Sequence, residues 1–230
     1  MIRTTVEGDV RSITLDRTEC RNALTGSGLA QLEGAVEAAT EPVVYLHGAG
    51  GAFCAGADLD TVAGLVGEEA RAFARRGQEV AAALAAYDGA VVAGIDGAAR
   101  GGGVELALAC DVRVATPDAT LAEPGVSLGL FGAWGGTVRL PDAVGCTEAM
   151  DLALSGRTLE AREARRVGLV SRIVDEPRAV ASEIAANDAE TVRTVKRRLR
   201  DDAPRETRED REAAAFARLV ASFDPENRNG

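Results

Sequence analysis

Two glycine-rich segments hold most of the residues in this sequence that could do chemistry. The first, GAGGAFCAGAD, covers residues 48–58 and follows an apolar run at 43–46. The second covers residues 97–103 and follows an apolar run at 90–95. Small residues let backbone N–H groups approach a ligand closely, and amides at a helix N-terminus carry the positive end of the helix dipole. Two such loops after neighbouring parallel strands could therefore bind one carbonyl oxygen, as an oxyanion hole does.

An acidic residue stands shortly after the second glycine segment. Glu105 lies in the apolar sequence VELALAC, which spans residues 104–110 and predicts a short buried helix. An unpaired carboxylate in such surroundings is costly, so a functional reason is expected for it. Burial would raise its pKa and the helix N-terminus would lower it, a combination that suits general acid–base catalysis. The alternative is a carboxylate that caps the first helical turn.

The histidine and cysteine content argues against metal-dependent or histidine-dependent chemistry. His47 is the only histidine, and it ends the apolar run VVYLH, where a structural role at the end of a strand is favoured. The four cysteines are far apart and form no C-x-x-C pair (Cys20, Cys54, Cys110 and Cys146). This pattern disfavours a zinc site and a Ser-His-Asp or Cys-His mechanism. We therefore expect no metal and no redox cofactor, with catalysis by carboxylates and backbone amides.

The overall composition excludes several classes of function. The 230 residues carry a formal net charge of −10, with 46% hydrophobic and 27% charged residues, which is a globular balance. The negative field repels a phosphate backbone and disfavours nucleic acid as a partner. No apolar stretch reaches the roughly 18–20 residues of a membrane span, and no apolar run follows the early Arg3. We expect a soluble cytoplasmic protein with no membrane partner.

A dinucleotide site is the rival interpretation of the first glycine segment. Gly48-Ala49-Gly50 follows a strand-like run, and two acids lie about 20 residues further on, where a ribose ligand would be expected (Glu68 and Glu69). The third glycine of that motif is missing, because Phe53 takes its place, and FCAGAD does not resemble the start of a helix. The nicotinamide interpretation is therefore disfavoured.

Strands alternate with helices along the chain, and this order must position the two loops. Alternating polarity around Gly8-Asp9 predicts a hairpin, and continuous apolar runs predict buried parallel strands. Strands are expected at 2–7, 10–16, 43–46, 90–95, 112–116 and near 169–174. Helices are expected at 25–39, 68–86, 104–110, 145–155, 160–167, 177–187, 189–201 and 206–222. This order predicts an α/β fold whose C-terminal third is helical.

Four segments of the sequence resemble the crotonase, or enoyl-CoA hydratase/isomerase, superfamily. They are AFCAGADL (52–59), IDGAARGGGVELALACDVRVAT (95–116), GLFGAWGGTVRL (129–140) and LALSGRTLEAREARRVGLVSRIV (152–174). The resemblance implies an α/β fold, a crotonase-like spiral of ββα units with a helical C-terminal trimerisation region. Residues 1–174 would form the crotonase-like core, and residues 175–230 would form the helical C-terminal region, shortened relative to the family.

The resemblance also implies a substrate and a set of binding residues. The substrate would be an acyl-CoA thioester whose enolate is stabilised, with CoA as part of the substrate, and the subunits would form a homotrimer or a dimer of trimers. The two oxyanion amides fall on Ala57 and Gly102. Asp58 would order the first loop or cap the next helix beside the substrate. Their neighbours in the two loops would also contribute to substrate binding (Ala55, Gly56 and Gly101).

The sequence departs from the hydratase pattern at the second catalytic glutamate. Hydratases of the family hold one water between two glutamates, and the first falls on Glu105. The second normally follows a proline, but here Pro124 is followed by Gly125, and Glu123 stands before the proline. Because the flanking sequence matches without a shift, Gly125 occupies the position of the missing acid in the substrate site. Trp134, the only tryptophan, either shapes the acyl pocket or serves ordinary packing.

These features predict an acyl-CoA enzyme of the enoyl-CoA hydratase type, which reversibly hydrates a 2-enoyl thioester. Glu105 alone would hydrate slowly, with water or Glu123 supplying the missing function. One alternative is isomerisation, in which Glu105 moves one proton between two carbons. Other enolate chemistry, such as decarboxylation or thioester hydrolysis, is a further alternative. The last is a non-catalytic acyl-CoA-binding protein, which would have no need of a buried carboxylate at position 105.

Overall fold

Two β-sheets and the helices packed on them form the protein, in a computed structural model that describes residues 1–223. The strands are β1 (Ile2–Glu7), β2 (Val10–Leu15), β3 (Val43–Gly48), β4 (Ala52–Cys54), β5 (Ala90–Ile95), β6 (Ala98–Arg100), β7 (Val112–Ala115), β8 (Thr120–Ala122), β9 (Thr158–Glu160) and β10 (Arg172–Ile173). The helices are α1 (Gly26–Glu37), α2 (Leu59–Ala63), α3 (Glu68–Ala86), α4 (Gly102–Ala109), α5 (Gly136–Val144), α6 (Cys146–Ser155), α7 (Ala161–Arg166), α8 (Pro177–Ala185), α9 (Ala189–Leu199) and α10 (Arg205–Ala221). Short 3-10 helices cover Thr18–Cys20 and Pro124–Leu128.

The larger sheet has six strands in the order β1-β2-β3-β5-β7-β10. β1 and β2 form the predicted antiparallel hairpin, and its turn contains Gly8 at φ +56, a conformation that favours glycine. The remaining neighbours in this sheet are parallel. All six residues of β5 are buried, as expected for a parallel strand covered on both faces. The carboxyl ends of β3 and β5 therefore lie side by side, and each leads into one of the two glycine-rich loops.

The smaller sheet consists of three-residue strands in the order β4-β6-β8-β9. This sheet is not predicted from the sequence, because segments of this length within glycine-rich loops show no periodicity. β4 belongs to the first glycine-rich loop and β6 to the second, and the two pair in parallel. β8 continues the sheet on the other side of β6 and leads towards Glu123. The smaller sheet thus fixes the two loops and Glu123 relative to one another.

Helices α1 and α3 cover the larger sheet with apolar side chains. Leu29 and Leu32 of α1 and Val80 and Leu84 of α3 are fully buried in the main hydrophobic core. Helix α4 is buried along its whole length, including Glu105. A second, smaller apolar cluster lies between the other side of the sheet and α8. The site loops therefore rest on a packed scaffold rather than on solvent-exposed segments.

The C-terminal part of the chain is helical, as predicted. Helices α8, α9 and α10 follow β10, and α9 and α10 contact each other. The α/β fold expected from the sequence is confirmed. Residues 224–230, the last of the predicted C-terminal region, lie outside the described residues. Among residues 1–223, none of the helices combines the length and the apolar character needed to cross a bilayer.

Candidate active site

The two glycine-rich loops converge in the structure, as the sequence predicts. Gly56 has φ +86, and a Cβ atom on it would lie 2.6 Å from the carbonyl oxygen of Arg100 and 2.9 Å from the nitrogen of Gly102. A Cβ atom on Gly103 would collide with the carbonyl of Cys54. Only glycine lets the backbones approach so closely. The contact holds Ala57 and Gly102 on neighbouring loops.

The backbone around Ala57 is held by a short pairing that does not use its own amide. Leu24 and Ala57 form an isolated parallel bridge. The Leu24 N–H donates to the Gly56 carbonyl at 2.8 Å, and the Asp58 N–H donates to the Leu24 carbonyl at 2.9 Å. In a parallel bridge the flanking groups make these bonds, so the N–H of Ala57 faces away from Leu24. Ala57 lines the site pocket on that other side.

Gly102 is the first residue of helix α4. Gly101, at φ +48, precedes it, and the Gly101 N–H donates to the Ala122 carbonyl at 3.0 Å. The first amides of a helix have no acceptor within the helix, so the N–H of Gly102 is available to a ligand and carries the positive end of the helix dipole. Gly101 and Gly102 both line the pocket that Ala57 lines.

Asp58 caps helix α2, as the sequence analysis predicts. Its Oδ1 accepts from the backbone N–H of Thr61 at 2.8 Å, and its Oδ2 accepts from Nη1 of Arg17 at 2.5 Å. The hydrogen bond from Arg17, followed by those from Thr61, lowers the pKa of Asp58 to about 2. This carboxylate therefore stabilises the loop after Ala57 and is not among the residues that line the pocket.

Glu105 is held by backbone amides from the segment that enters α5. Its Oε1 accepts from the N–H of Trp134 at 2.8 Å and from the N–H of Gly136 at 2.6 Å, and the residue is 1% exposed. Desolvation raises the pKa of Glu105, and the two amides oppose this shift because they stabilise the charged form. Side chains are excluded around it: a Cβ atom on Gly132 would lie 2.8 Å from its Cδ.

Trp134 contributes both packing and a hydrogen bond. Its indole is 3% exposed and contacts the ring of Phe73 on α3, with 5.9 Å between ring centroids. Cβ atoms on Gly77 or Gly102 would collide with the indole, so it lies between α3 and the start of α4. The indole therefore packs in the core, and the residue also lines the pocket, so the structure is consistent with both interpretations made from the sequence. Its backbone amide is one of the two donors to Glu105.

Gly125 and Glu123 both face the pocket, on either side of Pro124. Gly125 brings no carboxylate, and a Cβ atom on it would lie 3.1 Å from the Leu130 carbonyl oxygen and from the Phe131 Cα. Glu123 is 9% exposed. Desolvation first, and then repulsion from Glu105, raises the pKa of Glu123 to about 8. The site therefore contains a second carboxyl group, two residues before the position at which the sequence pattern places it.

One pocket of about 350 Å³ brings most of the predicted residues together. The predicted site residues that line it are Ala55, Ala57, Gly101, Gly102, Glu105, Gly125 and Trp134. Gly56 and Asp58 do not line the pocket. They stabilise the first loop instead, through the close backbone contact at Gly56 and the hydrogen bonds of Asp58. The sequence analysis did not predict the apolar wall, which comes from α2, α3 and the segment around residue 130 (Leu59, Val62, Leu65, Phe73, Leu128 and Leu130). The amphipathic pattern of α3 was the available signal for part of this wall.

His47 has a structural place, as the sequence analysis favours. Its Nε2 lies 2.9 Å from the Thr14 hydroxyl on the adjacent strand, and its ring stacks on Tyr45. Burial lowers its pKa. It is not among the residues that line the pocket. Among residues 1–223, the carboxyl groups that line the pocket are those of Glu105 and Glu123.

Comparisons of the sequence and of the fold with known proteins indicate the same family. The family model described as enoyl-CoA hydratase/isomerase matches residues 5–226. A probable enoyl-CoA hydratase of Mycobacterium tuberculosis is 38% identical over 206 residues, which cover 83% of this chain and 78% of the relative. A short-chain-enoyl-CoA hydratase of Clostridium acetobutylicum is 36% identical over 174 residues, which cover 74% of this chain and 67% of the relative.

Solved structures agree with this result. The enoyl-CoA hydratase of Bacillus anthracis superposes with a TM-score of 0.90 at 32% identity, covering 96% of this chain and 91% of the other. The enoyl-CoA hydratase of Thermoplasma volcanium superposes with a TM-score of 0.89 at 33% identity, covering 98% of this chain and 93% of the other. The fold is therefore the crotonase fold predicted from the four sequence segments. The chain belongs to the enoyl-CoA hydratase/isomerase family.

Proposed function

We propose that this protein adds water reversibly to a 2-enoyl-CoA thioester. The observation that carries the proposal is the position of Glu105, a buried carboxyl group in the wall of a pocket that also contains the Ala57 and Gly102 loops. A binding protein gains nothing from a carboxyl group that is buried at this cost. An enzyme that moves protons beside a thioester needs one there.

The amides of Ala57 and Gly102 would hold the thioester oxygen. When water attacks the β-carbon, negative charge moves onto that oxygen as an enolate. Two fixed N–H donors stabilise the charge without reorganising, and each such donor is worth about 3 kcal/mol in related acyl chemistry. The dipole of α4 favours the same charge, because Gly102 begins that helix.

Glu105 would act as the base that activates water. Its two amide donors hold one oxygen and favour the charged form, which leaves Oε2 to accept a proton from water. The water oxygen bonds to the β-carbon as its proton passes to Glu105, and the electrons of the double bond move towards the thioester. Protonation of the α-carbon completes the addition.

The pocket wall would hold the acyl chain of the substrate. Leu59, Val62 and Phe73 present apolar surface on the side of α2 and α3. Such a wall favours a hydrocarbon chain and excludes bulk water from the enolate. CoA would be recognised as part of the substrate, and the proposed reaction uses no metal or redox cofactor.

Product analysis with two substrates tests this proposal. The purified protein is incubated with crotonyl-CoA and, separately, with a 3-enoyl-CoA, and the thioesters are separated and identified. We expect a 3-hydroxyacyl-CoA from crotonyl-CoA. Conversion of the 3-enoyl ester to the 2-enoyl ester without hydration would assign isomerisation instead. Binding of both esters without any product would contradict enzymatic function at this site.

We also propose that the subunits assemble as a homotrimer or a dimer of trimers. The support is apolar surface on the C-terminal helices, where Leu199 of α9 and Phe216 and Val220 of α10 are more than half exposed. Exposed apolar surface of this kind is typical of an interface. Light scattering coupled to size-exclusion chromatography gives the mass in solution, and a monomer at all concentrations would contradict the proposal.

A further inference from the structure

Glu123 is a buried acid without a hydrogen-bond partner in the described structure. It is 9% exposed, and its Oε1 is a buried oxygen for which residues 1–223 provide no donor. Leaving a buried carboxyl oxygen unpaired costs free energy, so a purely structural acid would be expected to have a donor. Glu123 instead faces two cavities, the site pocket and an adjoining apolar cavity of about 180 Å³ that extends towards α5 and α6.

Glu105 and Glu123 form a pair with different surroundings. Glu105 accepts two backbone N–H groups, which favour its charged form, whereas Oε1 of Glu123 has none. Two acids that repel each other at one site do not ionise together, and the one whose charged form accepts more hydrogen bonds ionises first. The pKa of Glu123, about 8, keeps this residue a carboxylic acid at neutral pH. The two backbone amides favour the charged form of Glu105, against the desolvation that raises its pKa.

In the part of the chain that the structure describes, the other charged and titratable groups near this pair do not supply a counter-charge to Glu123. Burial raises the pKa of Glu105, and Arg139 of α5 is among the groups that oppose this rise. Arg100 of β6 donates to the Thr120 carbonyl and hydroxyl on the neighbouring strand. Cys146 of α6 lines the adjoining apolar cavity. Within residues 1–223, Glu123 therefore has the repulsion of Glu105 and no cation to offset it, which favours its protonated form.

We propose that Glu123 is the second catalytic acid of this site and that it replaces the carboxyl group missing at Gly125. In the forward reaction Glu105 takes a proton from water, the water oxygen bonds to the β-carbon, and the electrons of the double bond pass into the enolate. The Glu123 carboxylic acid then gives its proton to the α-carbon. One proton enters Glu105 and one leaves Glu123, so a single proton transfer between them restores the starting state.

This role rests on the proposed hydration, and the test separates the two. The variant is Glu123→Gln, which keeps the size of the side chain and removes its acidic proton. Its matched control is Glu160→Gln, an exposed glutamate on β9 of the same small sheet. We expect kcat for crotonyl-CoA hydration to fall by about 100- to 10,000-fold in Glu123→Gln, the usual contribution of a general acid. The KM of Glu123→Gln should stay near that of the parent protein. The Glu160→Gln control should keep both the rate and the KM of the parent protein.

Two further readouts distinguish chemistry from a structural effect. The rate of the parent protein should decline as pH rises through about 8, where Glu123 loses its proton, and the residual rate of Glu123→Gln should lack that decline. Infrared difference spectroscopy should show a protonated carboxyl band at pH 7 that disappears in Glu123→Gln. The variant Glu123→Asp, which keeps an acid at shorter reach, should retain part of the rate and the alkaline decline.

Each outcome has a definite meaning. A Glu123→Gln protein that folds, by circular dichroism, and hydrates at the parent rate would overturn the role of Glu123 while leaving the hydratase proposal intact. Absence of the carboxyl band at pH 7 would overturn it as well. If Glu123→Gln does not fold, Glu123→Asp and the pH profile of the parent protein test the role of Glu123 instead. A parent rate that does not decline as pH rises through about 8 would then overturn that role. A parent protein that hydrates no 2-enoyl-CoA would contradict the proposed function itself.

Discussion

At the scale of single residues, the two buried acids of the site differ in the hydrogen bonds that they accept. Glu105 has two backbone donors to one oxygen, whereas the buried Oε1 of Glu123 has none. In the proposed mechanism this difference lets one glutamate act as the base and the other as the acid at the same pH. This difference arises from backbone N–H groups of distant segments, which is why no spacing rule in the sequence could reveal it.

The raised pKa of Glu123 leads to a prediction about stability and pH. An acid whose pKa is higher in the folded than in the unfolded protein binds its proton more tightly when folded. The contribution of Glu123 to folding stability is fully present at pH values below its pKa in the unfolded protein. This contribution is lost as pH rises towards the folded pKa of about 8. We expect the free energy of unfolding of the parent protein to fall relative to Glu123→Gln between pH 5 and 9, by on the order of a few kcal/mol.

Denaturant unfolding at several pH values measures this difference. The Glu160→Gln protein serves as control, because that side chain is exposed in the same sheet. Parallel pH profiles of the parent and Glu123→Gln would show that Glu123 is not protonated in the folded state at neutral pH.

Asp58 gives a second prediction at the residue scale. In Asp58→Asn the side-chain oxygen can still accept from Thr61, but the ionic hydrogen bond from Arg17 is lost. Hydrogen bonds to charged groups contribute about 1.5–3 kcal/mol, so we expect a loss of stability of that order. Thermal unfolding checks it. Because the folded pKa of Asp58 is about 2, the difference from the parent should shrink in acid, as Asp58 becomes protonated.

At the scale of elements, the segment between Phe131 and α5 connects the packing of the core to the position of Glu105. The Trp134 indole fills the space between α3 and α4, and the amides of Trp134 and Gly136 bind Glu105. Helix α5 was not predicted from the sequence, since Gly135, Gly136 and Pro141 all disfavour helices. It forms because tertiary contacts, including the bond from Gly136 to Glu105, outweigh those propensities.

Removing the indole tests this connection. In Trp134→Ala, the cavity left in the core should lower the free energy of unfolding by about 3–5 kcal/mol. Activity should fall as well, because the loop that donates to Glu105 loses its support. Trp134→Phe should retain more of both, since Phe73 still has an aromatic neighbour. Urea titration and kcat measurements check the two effects, and a Trp134→Ala protein with full activity would contradict the positioning role.

At the scale of the whole molecule, the sequence predicts the long elements well and the short ones poorly. The hairpin of β1 and β2, the buried β3 and β5, and α3 are found where apolar periodicity places them. The four strands of the smaller sheet are three residues each, too short for a pattern to emerge. They are nevertheless the elements that bring the glycine loops and Glu123 together.

The candidate site could also be predicted only in part from the sequence. Ala57, Gly102 and Glu105 lie around one pocket, as expected from loops that follow neighbouring parallel strands. Glu123 appeared in the sequence as one of two ways to supply the missing acid, and only the fold shows that it faces the pocket and is buried. Burial and electrostatic repulsion depend on residues far apart in sequence, so they required the structure.

The rate of crotonyl-CoA hydration by the parent protein and by Glu105→Gln tests the proposed role of Glu105 most directly. The glutamine oxygen can still accept from Trp134 and Gly136, so the fold and thioester binding should persist while the base is lost. We predict 3-hydroxybutyryl-CoA from the parent protein, and a kcat lower by about 100- to 10,000-fold in Glu105→Gln with binding of the substrate unchanged by calorimetry. A Glu105→Gln protein that hydrates crotonyl-CoA at the parent rate would contradict the role of Glu105 as the base that activates water.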